Sequence, residues 1–490
     1  MTDMNAGRQR LYAGCDKVIE YMVYTLVFFI PTSKSVVEVF ATLAIMIWLY
    51  KNGLKAWEWT LEKRKSFVPP ETTYGLLKVI TPLGVLMVLL VYSSIMISLA
   101  VISHHFDIEG DLFATGVFLP VTLFAIFLGT LFFIIALAVV RSSYGFNLKA
   151  SIISFIAVSL IASAFTSQRL GMSAEAFLFK VMEYLLIFLI IADVINTPRR
   201  VFNLVSVFLV AALFSGIDGI YQRLAGYDLF RNFPMFEKAK ITAAFKAPND
   251  FGTYVATMLP LPLALIAFNA KDWKKKCGLL VISLVLAACL VLTFSRGAWL
   301  GFLAGFLFLL IFTGWRRLVA VLIILVLLAS LTALIAPPPI KAQIDYFSKL
   351  GSDASSVDRL IIWKTGWRMF LDKPVFGHGL NTFMSVFEKY RPPDYSEIVY
   401  AHNCFLQIAA ETGIIGLLVF LWFCVSVFIR AISRFFITSD KFVKAAVIGA
   451  AACIMATLAN SFVDTNLYSL PLAVLFWSLC GLAIVKVQPE

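Results

Sequence analysis

Apolar runs close to the ~20 residues that a bilayer crossing requires recur along almost the whole chain. A soluble chain of this length shows roughly two or three domains of mixed periodicity, and none is visible here. Apolar residues make up 60% of the 490 positions and charged residues 14%, with a mean hydropathy of +0.88. The expected fold class is an all-α polytopic membrane protein with about 12–14 transmembrane helices and a long, partly helical external loop. Crossings are expected near 18–31, 34–50, 79–103, 114–140, 148–165, 174–195, 200–221, 250–268, 277–294, 297–313, 317–336, 402–429, 444–463 and 467–485. The first run contains Glu20 and lacks a cleavage site, so it reads as a retained helix and not a signal peptide.

The net charge of +12 needs no nucleic acid to explain it. Basic residues gather in short loops: Lys63 to Lys65, Arg199 and Arg200, Lys274 to Lys276, Arg316 and Arg317, Arg430 and Arg434. The intervening short loops are nearly free of Lys and Arg, which is the positive-inside pattern. It sets both termini in the cytoplasm. Segment 51–78, rich in Lys and Trp, is expected on the inner leaflet. Lys180 and Glu183, mid-helix and three apart, read as a local pair. The seven cysteines show neither paired nor metal-ligand spacing and read as small buried residues. Glycine-rich nucleotide loops and His-Glu zinc motifs are missing.

Two outer loops, 222–249 and 337–401, are far longer than connections usually are, and such loops are usually functional. Long external segments translocate largely regardless of charge, so orientation does not explain their many basic residues. In the second loop, Ser355 to Asp358 resembles a helix start. The sequence that follows places Arg359, Trp363 and Trp367 on one helix side, and Leu360 and Phe370 suit a headgroup boundary. Gly377 and Gly379 mark a turn, and Pro392-Pro393 breaks the segment before re-entry at His402-Asn403. Imidazole at that boundary can take a proton near neutral pH. The expected layout is N-terminal helices over 1–200, a central region over 201–430 carrying both loops, and C-terminal helices over 431–490.

Taken in order, a set of short motifs resembles the O-antigen ligase and polymerase superfamily. They are Tyr221-Gln222 with Gly226, Phe245 to Asn249, Thr293 to Gly297, Arg359 with Trp363, Pro374 to Gly379, Phe383, and His402-Asn403 followed by Gly413-x-x-Gly416. The resemblance covers 200–420; the first 200 residues match in hydropathy alone. Family members often carry an Arg shortly before the Pro-Asn element, where this chain has Lys240 and Lys246. Lysine lacks the planar guanidinium fork.

The resemblance implies a bacterial inner-membrane glycosyltransferase with its site on the periplasmic side. The donor it implies is an undecaprenyl-diphosphate-linked glycan, and the acceptor a sugar hydroxyl of lipid A–core or another glycan. Membrane lipids are further partners; nucleic acid is not. Such a reaction needs a base for the acceptor hydroxyl and cations for the departing diphosphate. His402 is the candidate base, and His378, between two glycines, reads as a loop residue. Arg296, at a hairpin between two crossings where an arginine is costly, and Arg359 are the candidate cations. Arg223, Lys240 and Lys246 are weaker candidates for substrate contact, and Asn249 and Asn403 for hydrogen-bonded orientation. No cofactor or metal site is expected, since Asp250, Asp345 and Asp358 are separated by basic or apolar sequence. A single displacement would invert the anomeric centre. The alternatives are a polymerase, a protein O-oligosaccharyltransferase and, less favoured, a lipid-linked sugar transporter. The transporter would want charges along a central path and an inverted repeat.

Overall fold

The computed structural model describes residues 2–65, 139, 144–314, 316 and 354–487, apart from 165, 168, 238–239, 270–271, 396 and 398–399. The expected crossings 79–103 and 317–336 lie outside the described residues. So do 114–140, residue 139 apart, and the first part of the second long loop. In chain order the helices are α1 (Thr2–Phe29), α2 (Lys34–Lys65), α3 (Phe146–Ala164) and α4 (Leu170–Ala176). A π-helical turn, Phe177–Met182, continues α4 into α5 (Glu183–Val194). Then come α6 (Pro198–Ala225), α7 (Pro248–Met258), α8 (Pro260–Phe268), α9 (Trp273–Leu292) and α10 (Arg296–Thr313). The last group is α11 (Ala354–Asp372), α12 (Phe383–Tyr390), α13 (Cys404–Ile437), α14 (Lys441–Asn460), a 3₁₀ turn at Asn466–Tyr468, and α15 (Leu470–Ala483).

Among the described residues, the pairing outside helices consists of two isolated bridges, Tyr227 with Pro234 and Phe236 with Lys240. Eight helical stretches are long and apolar enough to cross a membrane, and α15 is a shorter apolar one. The polytopic all-α expectation holds. Local signals place the ends: Thr197 caps α6 by accepting from the Arg200 amide, Pro198 fills its first turn, and Gly226 closes it at φ 91°. Pro at N1 and a left-handed glycine at the C-terminus are the usual asymmetry.

The bundle is held by close backbone approach. Gly297, Gly301 and Gly305 recur every four residues on α10, facing α14. A Cβ on Gly301 would lie 2.7 Å from the Ala456 carbonyl oxygen, and one on Gly305 2.5 Å from that of Ala452. Between lipid-immersed helices, small residues at this spacing let dispersion and backbone contact do what hydrophobic exclusion does in water. At the end of the bundle away from the long loops, fully buried Lys51 bridges Asp16 at 2.6 Å and Asp193 at 2.7 Å. It ties α1, α2 and α5 together, and Trp48 also donates to Asp193. The Lys180–Glu183 pair expected from sequence does not form. The wide π turn carries Lys180 toward Asn381, to which it donates at 3.0 Å.

A second, smaller core lies outside the main bundle. Ile362 and Met369 of α11, Phe383 and Phe387 of α12 and Ala410 of α13 are buried together. The opposite face of α11 leaves Leu360, Trp367 and Leu371 exposed.

Gly305→Leu is expected to destabilise the α10–α14 contact by about 1–3 kcal/mol, the usual overpacking cost. It should lower the melting temperature of the detergent-solubilised protein. Gly278→Leu, where nothing lies within 4 Å, should leave it unchanged. Equal melting temperatures for all three proteins would contradict the packing account.

Candidate active site

Gly413 breaks α13 at φ 69°, ψ −172°, so backbone groups around it lose their helical partners. The Pro374 to Gly379 turn supplies replacements. His378 N donates to the Ala410 carbonyl (3.0 Å), Gly379 N to that of Glu411 (2.8 Å), and Ile414 N to that of Pro374 (2.8 Å). The approach is so close that a Cβ on Gly377 would lie 2.3 Å from the Glu411 carbonyl carbon. One on Gly413 would lie 2.1 Å from the Val375 carbonyl oxygen. Both glycines also adopt φ of 69°, where a side chain is strained. The two motifs therefore form one clasp. Glu411, 1% exposed, reinforces it by accepting from the amides of Asn381 (2.9 Å) and Phe383 (3.3 Å), from Gln407 Nε2 (3.1 Å) and from the Tyr468 hydroxyl (3.0 Å).

His378 belongs to this clasp. It is fully buried, its Nε2–H donates to the Met369 carbonyl at 2.9 Å, and its ring meets Tyr390 edge-on at 5.7 Å. Burial pushes the imidazole below its usual pKa, and neighbouring Lys373 and Lys389 act in the same direction.

The clasp fixes how the chain enters α13. Asn403 caps the helix, its Oδ1 accepting from Leu406 N at 3.0 Å. Cys404 N donates to the Ser461 carbonyl at 2.8 Å. The buried Cys404 thiol donates to the Asp464 carbonyl and to Asn466 Oδ1, each at 3.3 Å. These bonds seat the start of α13 on the α14–α15 connection. Between them His402 is held at φ 46°, a left-handed conformation unfavourable for a non-glycine residue and frequent at functional sites. Its Nδ1 is buried without a hydrogen bond and faces Asp464 Oδ1 at 3.7 Å.

Asp464 also lines a cavity of about 450 Å³ that contains Arg296, Arg359, Lys240 and Asn249. The Ala247–Asn249 and Ser295–Gly297 segments lining it are the starts of α7 and α10. Two helix N-termini, each carrying partial positive charge, thus converge with two arginines. Lys240 is paired to Glu237 at 2.5 Å. The loop that brings Lys240 here is organised by buried Gln222. Its Oε1 accepts from the amides of Thr242 (2.7 Å) and Ala243 (2.9 Å).

The cavity thus gathers Arg296, Arg359, Lys240 and Asn249, with His402 reached through Asp464. Arg223 is not brought to it; exposed at the end of α6, it lies 3.8 Å from Met235 Sδ. Lys246 lines a separate small cavity with Asp250, Lys34 and Arg231. Asn403 is occupied as a cap. Sequence reasoning missed Asp464 and Glu411. Glu411 carried a signal, an acid within an apolar helix. Asp464, one acid in a short connection, carried none. Among the described residues, no group of three or more His, Cys, Asp or Glu gathers to hold a metal ion.

Gly413→Ala should open the clasp, since a left-handed non-glycine residue costs about 1–2 kcal/mol before the clash is counted. Limited proteolysis within 354–403 should accelerate by about tenfold or more; an unchanged rate would contradict the clasp. The clasp should also weaken in acid. The native pKa of His378 is depressed, so the unfolded state binds its proton first. The stability contributed by the neutral ring is complete above its unfolded value of about 6.5 and is lost as pH falls through the native value. His378→Gln should flatten the dependence of proteolysis on pH between about 5 and 7.5.

The chain is similar to known proteins over part of its length. Residues 280–421 match the family described as O-Antigen ligase. A teichuronic acid biosynthesis protein of Bacillus subtilis is 24% identical over 246 residues, covering 46% of this chain and 49% of that protein. A Rickettsia conorii protein named as a polysaccharide ligase is 30% identical over 206 residues, covering 37% of this chain and 46% of the relative. The chain spans about half the length of the curated relatives it matches.

Proposed function

We propose that this chain, a member of the O-antigen ligase superfamily through its residues 280–421, moves a glycan from an undecaprenyl-diphosphate donor to a sugar hydroxyl. Lipid A–core is the proposed acceptor, and the site faces the periplasm of a bacterial inner membrane. One observation carries the reading: Arg296, Arg359 and two helix N-termini share a cavity whose Asp464 wall faces His402.

In this reading the diphosphate lies against Arg296 and Arg359, which offer forked donors to its oxygens. The α7 and α10 N-termini add positive potential where negative charge grows as the glycosidic bond breaks. Asp464 accepts from His402 Nδ1 and orients the ring, leaving Nε2 to take the acceptor proton. The 3.7 Å separation is too long for a hydrogen bond; catalytic hydrogen bonds commonly tighten when substrate binds. Protein groups supply the positive charge the leaving group needs, so transfer is proposed to be metal-independent. A single displacement inverts the anomeric centre, and a product with retained configuration would refute it. The relative named for teichuronic acid biosynthesis supports polymer assembly as the second reading.

Purified protein in detergent with EDTA, undecaprenyl-diphosphate-linked glycan and lipid A–core should yield transferred product. His402→Ala should lower turnover by about 10²–10⁴-fold, the range for a general base, while retaining donor binding. Arg296→Ala should weaken donor binding and lower turnover by about 10²–10³-fold, with Arg296→Lys intermediate. Full activity in both alanine variants would overturn the assignment. Donor consumption without lipid A–core labelling would favour the polymerase.

A further inference from the structure

A second chamber, of about 640 Å³, adjoins the arginine cavity. Among the described residues, the two share Asp464 and no other lining residue. Their chemistry differs. Lys34 and Lys180 face four carboxylates here, Glu38, Glu175, Asp250 and Asp464, and Lys180 is engaged by Asn381. The chamber therefore has an excess of acceptor oxygens and a net negative balance. Its aromatic lining includes Tyr400 and Tyr468, whose rings lie 6.1 Å apart. Tyr468 is held through its hydroxyl by the clasp residue Glu411.

An in-line displacement needs the incoming oxygen on the side of the anomeric carbon opposite the leaving group. Two chambers meeting at the residue that faces the base provide that arrangement. Carboxylates accept hydrogen bonds from sugar hydroxyls, and tyrosine rings offer apolar faces to sugar C–H groups. Phosphate or carboxylate substituents meet like charge there, which costs affinity and sets specificity.

We propose that the Glu38–Glu175–Asp250 chamber is the acceptor subsite, and that it selects an acceptor whose reacting sugar is uncharged or carries an amine, against phosphorylated sugars and uronic acids. This inference rests on the glycan-transfer reading above. Glu38 and Glu175 open into the chamber as exposed side chains, so replacing them should leave the fold intact.

The test uses the full chain in detergent and two synthetic glycolipids with identical lipids, one ending in glucose and the other in glucuronate. Binding is measured by thermophoresis without donor, so the answer does not depend on turnover. The glucosyl lipid is expected to bind about tenfold tighter or more. Glu38→Gln with Glu175→Gln should narrow that gap by improving glucuronosyl binding, leaving the affinity for undecaprenyl diphosphate alone unchanged. Equal affinity for the two lipids, or a gap indifferent to both substitutions, would overturn the proposal. If selective binding persists while no donor is consumed under any condition, the chamber's selectivity stands and the transfer reading fails.

Discussion

Breaking a helix inside an apolar bundle leaves amides and carbonyls that water cannot reach, and each must find a partner. The break at Gly413 and its repair by the Pro374 to Gly379 turn is the interaction on which the rest of this site depends. The repair is made by backbone groups at van der Waals limits, so it sets position closely. It anchors the C-terminal end of α11, the helix whose opposite end carries Arg359, and the start of α12. It also holds the first turns of α13, whose entry carries His402. Glu411 extends the same lock to Tyr468 and so to the α14–α15 connection that bears Asp464.

The second organising element is the α10–α14 contact. Glycines at every fourth residue bring the two helices close enough that the start of α10, with Arg296, faces the end of α14. Arg296 comes with one helix hairpin, Arg359 with α11, and His402 with the entry to α13. These three parts meet because each is pinned by backbone contact. Charge then divides the space: Arg296, Arg359 and the Lys240–Glu237 pair lie on one side of Asp464, and Glu38, Glu175 and Asp250 with Lys34 and Lys180 on the other.

Much of this was legible in the sequence. Eight of the expected crossings follow from hydropathy as helices long and apolar enough to span, and Arg296 and His402 stand out because charged and titratable groups are scarce and costly at a membrane boundary. The α11 helix was visible in its start signal and its spacing of Trp and Arg. The clasp was not legible, because hydrogen bonds between backbone groups 32 to 40 residues apart leave no side-chain pattern; only the glycines hint at it. Lys246 and Arg223 do not line the cavity that holds Arg296, because charge in a long loop says nothing about direction. Asn403 showed a capping residue type, and capping is what it does. The glycine repeat from Gly297 to Gly305 was in plain view, and its meaning depends on knowing that α14 is the partner.

The most direct measurement is an experimental structure of the full chain with undecaprenyl diphosphate bound. The account predicts the two phosphates between Arg296 and Arg359, against the first turn of α10, with His402 and Asp464 bordering the reacting end. Density for the diphosphate in the carboxylate-lined chamber, or on a surface away from Arg296, would contradict it.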